Sequence, residues 1–223
     1  MFPNALNGVK KIYTAEILML IAAILGIVTA IAAITGVLAA EAASQLGSSG
    51  LAGAAGGTLI GAGLFAVAAA VLSLIGFIMN IVGVTRAARD EERFKSALTA
   101  IIIGIVCSVL SGFFQSGWVS VVVSNVSEIC EILATYFILS GIIHLAEQLG
   151  DREMASRGTA LRKLILIIWV VSFVLGVISG VFALSEAMTV AGRVVGIIAL
   201  IVSLVSYIMY LRLLSQARKM LGA

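Results

Sequence analysis

Six long apolar runs alternate with short polar stretches along the chain. The runs cover about 15–39, 58–84, 97–116, 124–147, 162–184 and 191–213. Each reaches the ~20 residues needed to cross the ~30 Å hydrocarbon core of a bilayer. Backbone groups in lipid must be satisfied within the segment itself, and these runs lack the apolar–polar alternation of barrel strands. The pattern therefore predicts an all-α integral membrane protein, a single membrane domain over 1–223 with six transmembrane helices.

The connections differ in character. The first, EAASQLGSSGLAGAAGG, is rich in small residues and reads as a flexible connector, although Gly53, Gly57 and Gly61 allow the second helix to start early. TRAARDEERFKSA holds neither Gly nor Pro, so the second and third helices should run past the membrane and meet in a tight charged turn. In the 148–161 connection Gly150 reads as a helix stop, and Gly158-Thr159 as a second stop followed by an N-cap. Near the start, Leu6, Val9, Ile12 and Tyr13 share one helical face, which predicts a short interfacial helix.

Charge placement sets an orientation. Of the 14 Lys and Arg residues, all but Arg193 fall near the N-terminus (Lys10, Lys11), in 86–95, in 152–163 or near the C-terminus (Arg212, Arg218, Lys219). By the positive-inside rule both termini and the 85–96 and 148–161 connections face the cytoplasm. The outer connections, about 40–57, 117–123 and 185–190, carry no basic residue. Phe113, Phe114 and Trp118 fit the outer interface and Tyr13 the inner one. The spacing of the charged loops suits a bacterial cytoplasmic (inner) membrane, with the bilayer as the first partner.

Composition agrees. Hydrophobic residues make up 61% and charged residues 11%, with a mean hydropathy of +1.20, whereas a soluble domain carries about 25% charged residues. No room is expected for a separate soluble domain. The first apolar run is too long for the h-region of a cleavable signal peptide. The net charge of +3 comes from one-sided loops rather than a nucleic-acid surface, and Asp90, Glu91, Glu92, Asp151 and Glu153 dilute the basic stretches. Cys107 and Cys130 read as packing residues at different depths; a disulfide is not expected, and two cysteines cannot form a thiolate cage for a metal.

A weak internal repeat runs through the six segments. Phe77-Ile78-Met79 aligns with Tyr136-Phe137-Ile138 and Tyr207-Ile208-Met209, and in that register Ala87, Ala146 and Ala217 coincide. Lys95 aligns with Lys163, Ser111-Gly112 with Ser179-Gly180, and Phe114 with Phe182. The stripe Gly104, Ser108, Gly112 then overlies Ser172, Gly176, Gly180, with Ala22, Gly26 and Ala30 at a comparable place in the first run. Small residues four apart let helices approach closely in lipid. The pattern predicts three tandem helical hairpins; the competing account is coincidence in a chain rich in Gly, Ala and aliphatics.

Polar residues at depth are the candidate functional positions, because an intramembrane ionisable group needs a partner or a task. Glu128 and Glu131, at i and i+3, could hold a cation or trade a proton; the simpler account keeps both hydrated in the outer headgroup zone. His144, the single histidine, lies 13 residues beyond Glu131 near the same face and reads as an inner-interface residue, about 20 Å away along the helix. Asn80 is expected to bond across helices, and Glu16 to meet a neighbouring cation or reach back toward Lys11. Arg193 is expected to pair with Glu186 or Glu128.

Phosphate-binding GxxxxGK[ST], HExxH and paired CxxC motifs are absent. Ser140 and His144 share one helix, whereas a hydrolase pair needs the histidine facing the serine from elsewhere. One histidine also excludes bis-histidine haem and His-x₃-His zinc. The expectation is therefore a multi-pass membrane protein that is not an enzyme, holds neither cofactor nor metal, and acts as a packing scaffold, homo-oligomer or membrane subunit. The alternative is a small ion or solute transporter using Glu131, Glu128, Asn80 and His144.

Overall fold

A computed structural model of the chain describes residues 2–46, 49–113, 118–182 and 189–222, without the side chains of 46, 49–52, 54–55, 118–122, 124, 172–182 and 189–203. Among the described residues it forms six helices and no strand: α1 (Pro3–Leu46), α2 (Ser49–Ala87), α3 (Arg93–Phe113), α4 (Trp118–Gln148), α5 (Arg152–Phe182) and α6 (Thr189–Gly222). Helices α1, α2, α4 and α6 each contain one predicted apolar run, and α3 and α5 cover the described part of the runs at 97–116 and 162–184. Among the described residues four stretches, Pro3–Gln45, Gly56–Ala87, Arg93–Phe113 and Asn125–Gln148, are long and apolar enough to cross a membrane.

Three local expectations are corrected. The flexible first connector is helical over most of its length, since α1 runs to Leu46 and α2 begins at Ser49; its alanines favour helix, and its glycines do not outweigh them. The short interfacial helix is not separate, because α1 is continuous from Pro3, with proline at the first helical position where its missing N–H costs nothing. Gly158 does not stop a helix. Helix α5 starts at Arg152, and the carboxylate of Asp151 accepts the N–H of Met154 at 3.0 Å as its N-cap. Gly158 lies against the Ile143 side chain of α4, which a Cβ there would meet at 2.6 Å.

Gly150 does end α4. Its φ of 76° is a left-handed conformation that L side chains rarely adopt, and the N–H of Asp151 reaches back to the carbonyl of Ala146 at 2.9 Å, closing a Schellman-like cap. The charged turn between α2 and α3 occupies only Ala88–Glu92, as its lack of Gly and Pro predicts.

The chain divides into two compact units: Lys11–Asn80, and Met1–Lys10 with Ile81–Ala223. In the first, α1 and α2 leave long aliphatic stripes uncovered. Ile24, Ile27, Ile31, Ile34 and Leu38 on α1, and Ile60, Leu64, Val67, Val71, Leu74 and Ile78 on α2, are each more than half exposed, up to 70% at Ile60. Their three- and four-residue spacing makes one continuous face per helix.

In the second unit α3 packs on α4, α4 on α5, and α5 on α6. The first turns of α1 belong here. The backbone at Gly8 sits directly on α2, where a Cβ would come 2.6 Å from the carbonyl oxygen of Gly83. The carboxylate of Asp90 accepts the N–H of Ala5 at 2.8 Å and the side-chain amide of Asn4 at 2.9 Å, so the α2–α3 turn caps the start of α1. The residues aligned by the repeat, Ala87, Ala146 and Ala217, are each 0% exposed, and their neighbours Val84, Ile143 and Leu214 are buried with them.

Candidate functional site

The densest polar cluster gathers the α2–α3 turn, α4 and α5 in the second unit. Glu91 in the turn is 7% exposed. Its carboxylate accepts from Nδ1 of His144 on α4 at 2.7 Å, and also receives the N–H of Arg93 at 3.4 Å, at the first residue of α3. A carboxylate at a helix N-terminus is favoured by the exposed N–H groups and the helix dipole.

One turn earlier on α4, buried Ser140 receives two guanidinium groups. Nη1 of Arg93 donates to the Ser140 carbonyl and Nη1 of Arg162, on α5, donates to its hydroxyl, each at 3.1 Å. Arg162 also lies over the Tyr136 ring, 5.2 Å from its centre, a cation–π arrangement. Next to Ser140, Gly141 leaves room for Phe94 of α3, fully buried, whose ring a Cβ at 141 would meet at 2.6 Å. This contact fixes α3 against α4 and so sets where Glu91 and Arg93 meet His144 and Ser140.

The Ser140 hydroxyl is held by Arg162 and the imidazole by Glu91, so no base is hydrogen-bonded to the serine among the described residues. Nor does any group of three His, Cys, Asp or Glu side chains suited to a metal occur among them.

The residues singled out from the sequence are dispersed. Glu128 and Glu131 are exposed on α4, remote from the buried end that holds His144. Asn80 lies in the first unit, where its Nδ2 donates to the carboxylate of Glu16 at 3.3 Å. Glu16 is 7% exposed and takes this amide rather than reaching only back to Lys11. The Oδ1 of Asn80 is buried with no hydrogen-bond partner among the described residues.

Of the small-residue stripes, Gly104 and Ser108 meet α4. A Cβ at 104 would stand 3.3 Å from that of Cys130, and the hydroxyls of Ser108 and Ser127 lie 2.6 Å apart. Ser127 also donates to the Gly104 carbonyl at 3.2 Å. Ala22 is buried, whereas Ala30, Gly26 and Gly112 are exposed, with nothing within 4 Å of a Cβ at either glycine. The side chains at Ser172, Gly176, Gly180 and Arg193, and residue Glu186, lie outside the described residues. Cys107 and Cys130 are both free thiols.

Sequence reasoning missed Glu91, Arg93, Ser140 and Arg162 as a group because each sits where a solvated loop residue or a helix serine is ordinary. The available signal was an acid in a turn too short to leave it free, with the single histidine near the C-terminal end of α4. Protein-family models, curated proteins and solved structures hold no match to this chain.

Proposed function

We propose that the chain is a six-span integral membrane protein, cytoplasmic at both termini, that works by helix packing as a homo-oligomer or as the membrane subunit of a complex, without catalysis of its own. The observation that carries this is the pair of aliphatic stripes on α1 and α2, whose large side chains are more than half exposed from Ile24 to Leu38 and from Ile60 to Ile78. Burying each such side chain is worth about 1.5–3 kcal/mol against water, and uncovered apolar faces of this extent mark a membrane or a partner. Helix α1, at 44 residues, is about 66 Å long at 1.5 Å per residue, so it crosses a bilayer with helix to spare at its ends.

Support for three tandem hairpins comes from burial. The aligned positions Val84, Ile143 and Leu214, and Ala87, Ala146 and Ala217, are all nearly or fully buried at the ends of α2, α4 and α6. The bonds of Glu91, His144, Arg93, Arg162 and Ser140 tie the α2–α3 turn, α4 and α5 together, which suits a structural joint. Size measurement of the purified chain in several detergents and in lipid nanodiscs, together with crosslinking in native membranes, tests the role. A strict monomer with no crosslinked neighbour contradicts it.

One observation favours a second reading, a small ion or proton transporter. Glu16 and Asn80 form a buried carboxylate–amide pair with an unpaired amide oxygen, and intramembrane ionisable groups often lie on ion paths. In this reading the exposed carboxylates Glu131 and Glu128 of α4 are further candidate groups. Proteoliposomes that move no protons or monovalent cations, with Glu16→Gln and Glu131→Gln as controls, exclude it.

A further inference from the structure

We infer that Arg93 and Arg162 form a binding site for a phosphate-bearing anionic lipid headgroup of the inner leaflet. Two guanidinium groups from different helices converge on the backbone and side chain of one residue, Ser140. Among the described residues Arg162 meets no carboxylate. Arg93 has only Glu91, at 3.9 Å, and that carboxylate is already engaged by His144 at 2.7 Å. Two like charges brought together, with one counter-charge near Arg93 alone and that one already held by His144, leave a local positive excess. The remaining N–H donors of two planar forks suit phosphate oxygens, which arginine binds in bidentate fashion.

The surroundings select a lipid as the source. Arg93 keeps 43% of its side chain exposed, so the donors are reachable. Leu133, one turn from Tyr136 on α4, and Leu166 and Ile167, one turn beyond Arg162 on α5, are exposed on the side of the cluster toward the middle of their helices. A headgroup on the arginines would lay its acyl chains along these side chains. Basic pockets between helices at the cytoplasmic face are a recurring form of anionic-lipid site. Lys163, exposed on α5 next to Arg162, adds a diffuse positive field, whereas Lys95 is paired with Glu92 at 3.4 Å.

The inference rests on the membrane-spanning reading, and it is tested separately from it. The full chain, purified in a mild detergent, is titrated with phosphatidylglycerol, with phosphatidylcholine and with inorganic phosphate. Bound lipid is counted by native mass spectrometry, and thermal stability is followed in parallel. Wild type is expected to retain phosphatidylglycerol over phosphatidylcholine, and Arg93→Gln or Arg162→Gln to weaken that retention by about tenfold or more, as the loss of a charged hydrogen-bond donor implies. Ser140→Ala removes the internal acceptor of Arg162 but leaves both guanidinium groups; it should retain the lipid, as should Lys163→Gln. A purely structural role for the arginines would instead make Ser140→Ala behave like Arg162→Gln. Equal retention by wild type and both arginine variants overturns the site, and inorganic phosphate stabilising as well as the lipid overturns the lipid assignment. Either failure leaves the six-span reading standing as long as the labelling pattern described at the end of the Discussion holds.

Discussion

Glu91 and His144 are joined by a 2.7 Å hydrogen bond between the α2–α3 turn and α4, 53 residues apart in sequence. It ties the turn to α4, and the carboxylate it satisfies is 7% exposed. Removing the imidazole strands that carboxylate, which costs more than losing an exposed pair would. His144→Ala should therefore destabilise the purified protein by about 1–3 kcal/mol. The Glu91→Ala, His144→Ala double variant should lose less than the sum of the single variants. Additive losses in a thermal or denaturant assay would show that the two side chains are not coupled.

Asp90, beside Glu91 in the same turn, holds the start of α1 through Ala5 and Asn4. Asp90→Ala should cost about 0.5–2 kcal/mol, the usual range for a lost helix cap. The loss should be local. Hydrogen exchange is expected to speed up at residues 4–8 while α3 and α4 stay protected; uniform exchange across the chain would count against a capping role.

Ala87, Ala146 and Ala217, which the proposed repeat aligns, are all buried. Overfilling a packed core costs about 1–3 kcal/mol, so Ala→Leu at each should destabilise by a similar amount. Leucine at Thr85 or Gln216, neighbours exposed on the same helices, should be tolerated. Melting temperatures of the five variants decide it. One alanine tolerating leucine while the other two do not would break the equivalence that the repeat implies.

Much of this architecture could be read from residue order alone. Apolar run length located all six helices, because lipid leaves a chain little choice but helix. The charged turn at 88–92 followed from the absence of Gly and Pro, and Gly150 was legible as a stop because a left-handed turn needs glycine. Gly158 misled for the same reason: glycine also serves close packing, and only the neighbouring Ile143 tells the two uses apart. The outer connector misled because its glycines and serines read as loop while its alanines carry helix. The Arg93–Ser140–Arg162 cluster was hidden because it depends on which helix faces lie together, and composition does not encode that in a chain apolar on every side.

The central claim, that the bilayer is the solvent of this chain and its basic turns lie on one side, is tested most directly by cysteine accessibility. In a variant with Cys107 and Cys130 replaced by alanine, single cysteines are placed at the exposed positions Gln45, Arg89 and Ser156. Intact cells are treated with an impermeant maleimide before and after permeabilisation. The expected result is labelling of the cysteine at 45 in intact cells, and of those at 89 and 156 only after permeabilisation. Labelling of 89 or 156 together with 45 in intact cells would contradict the account.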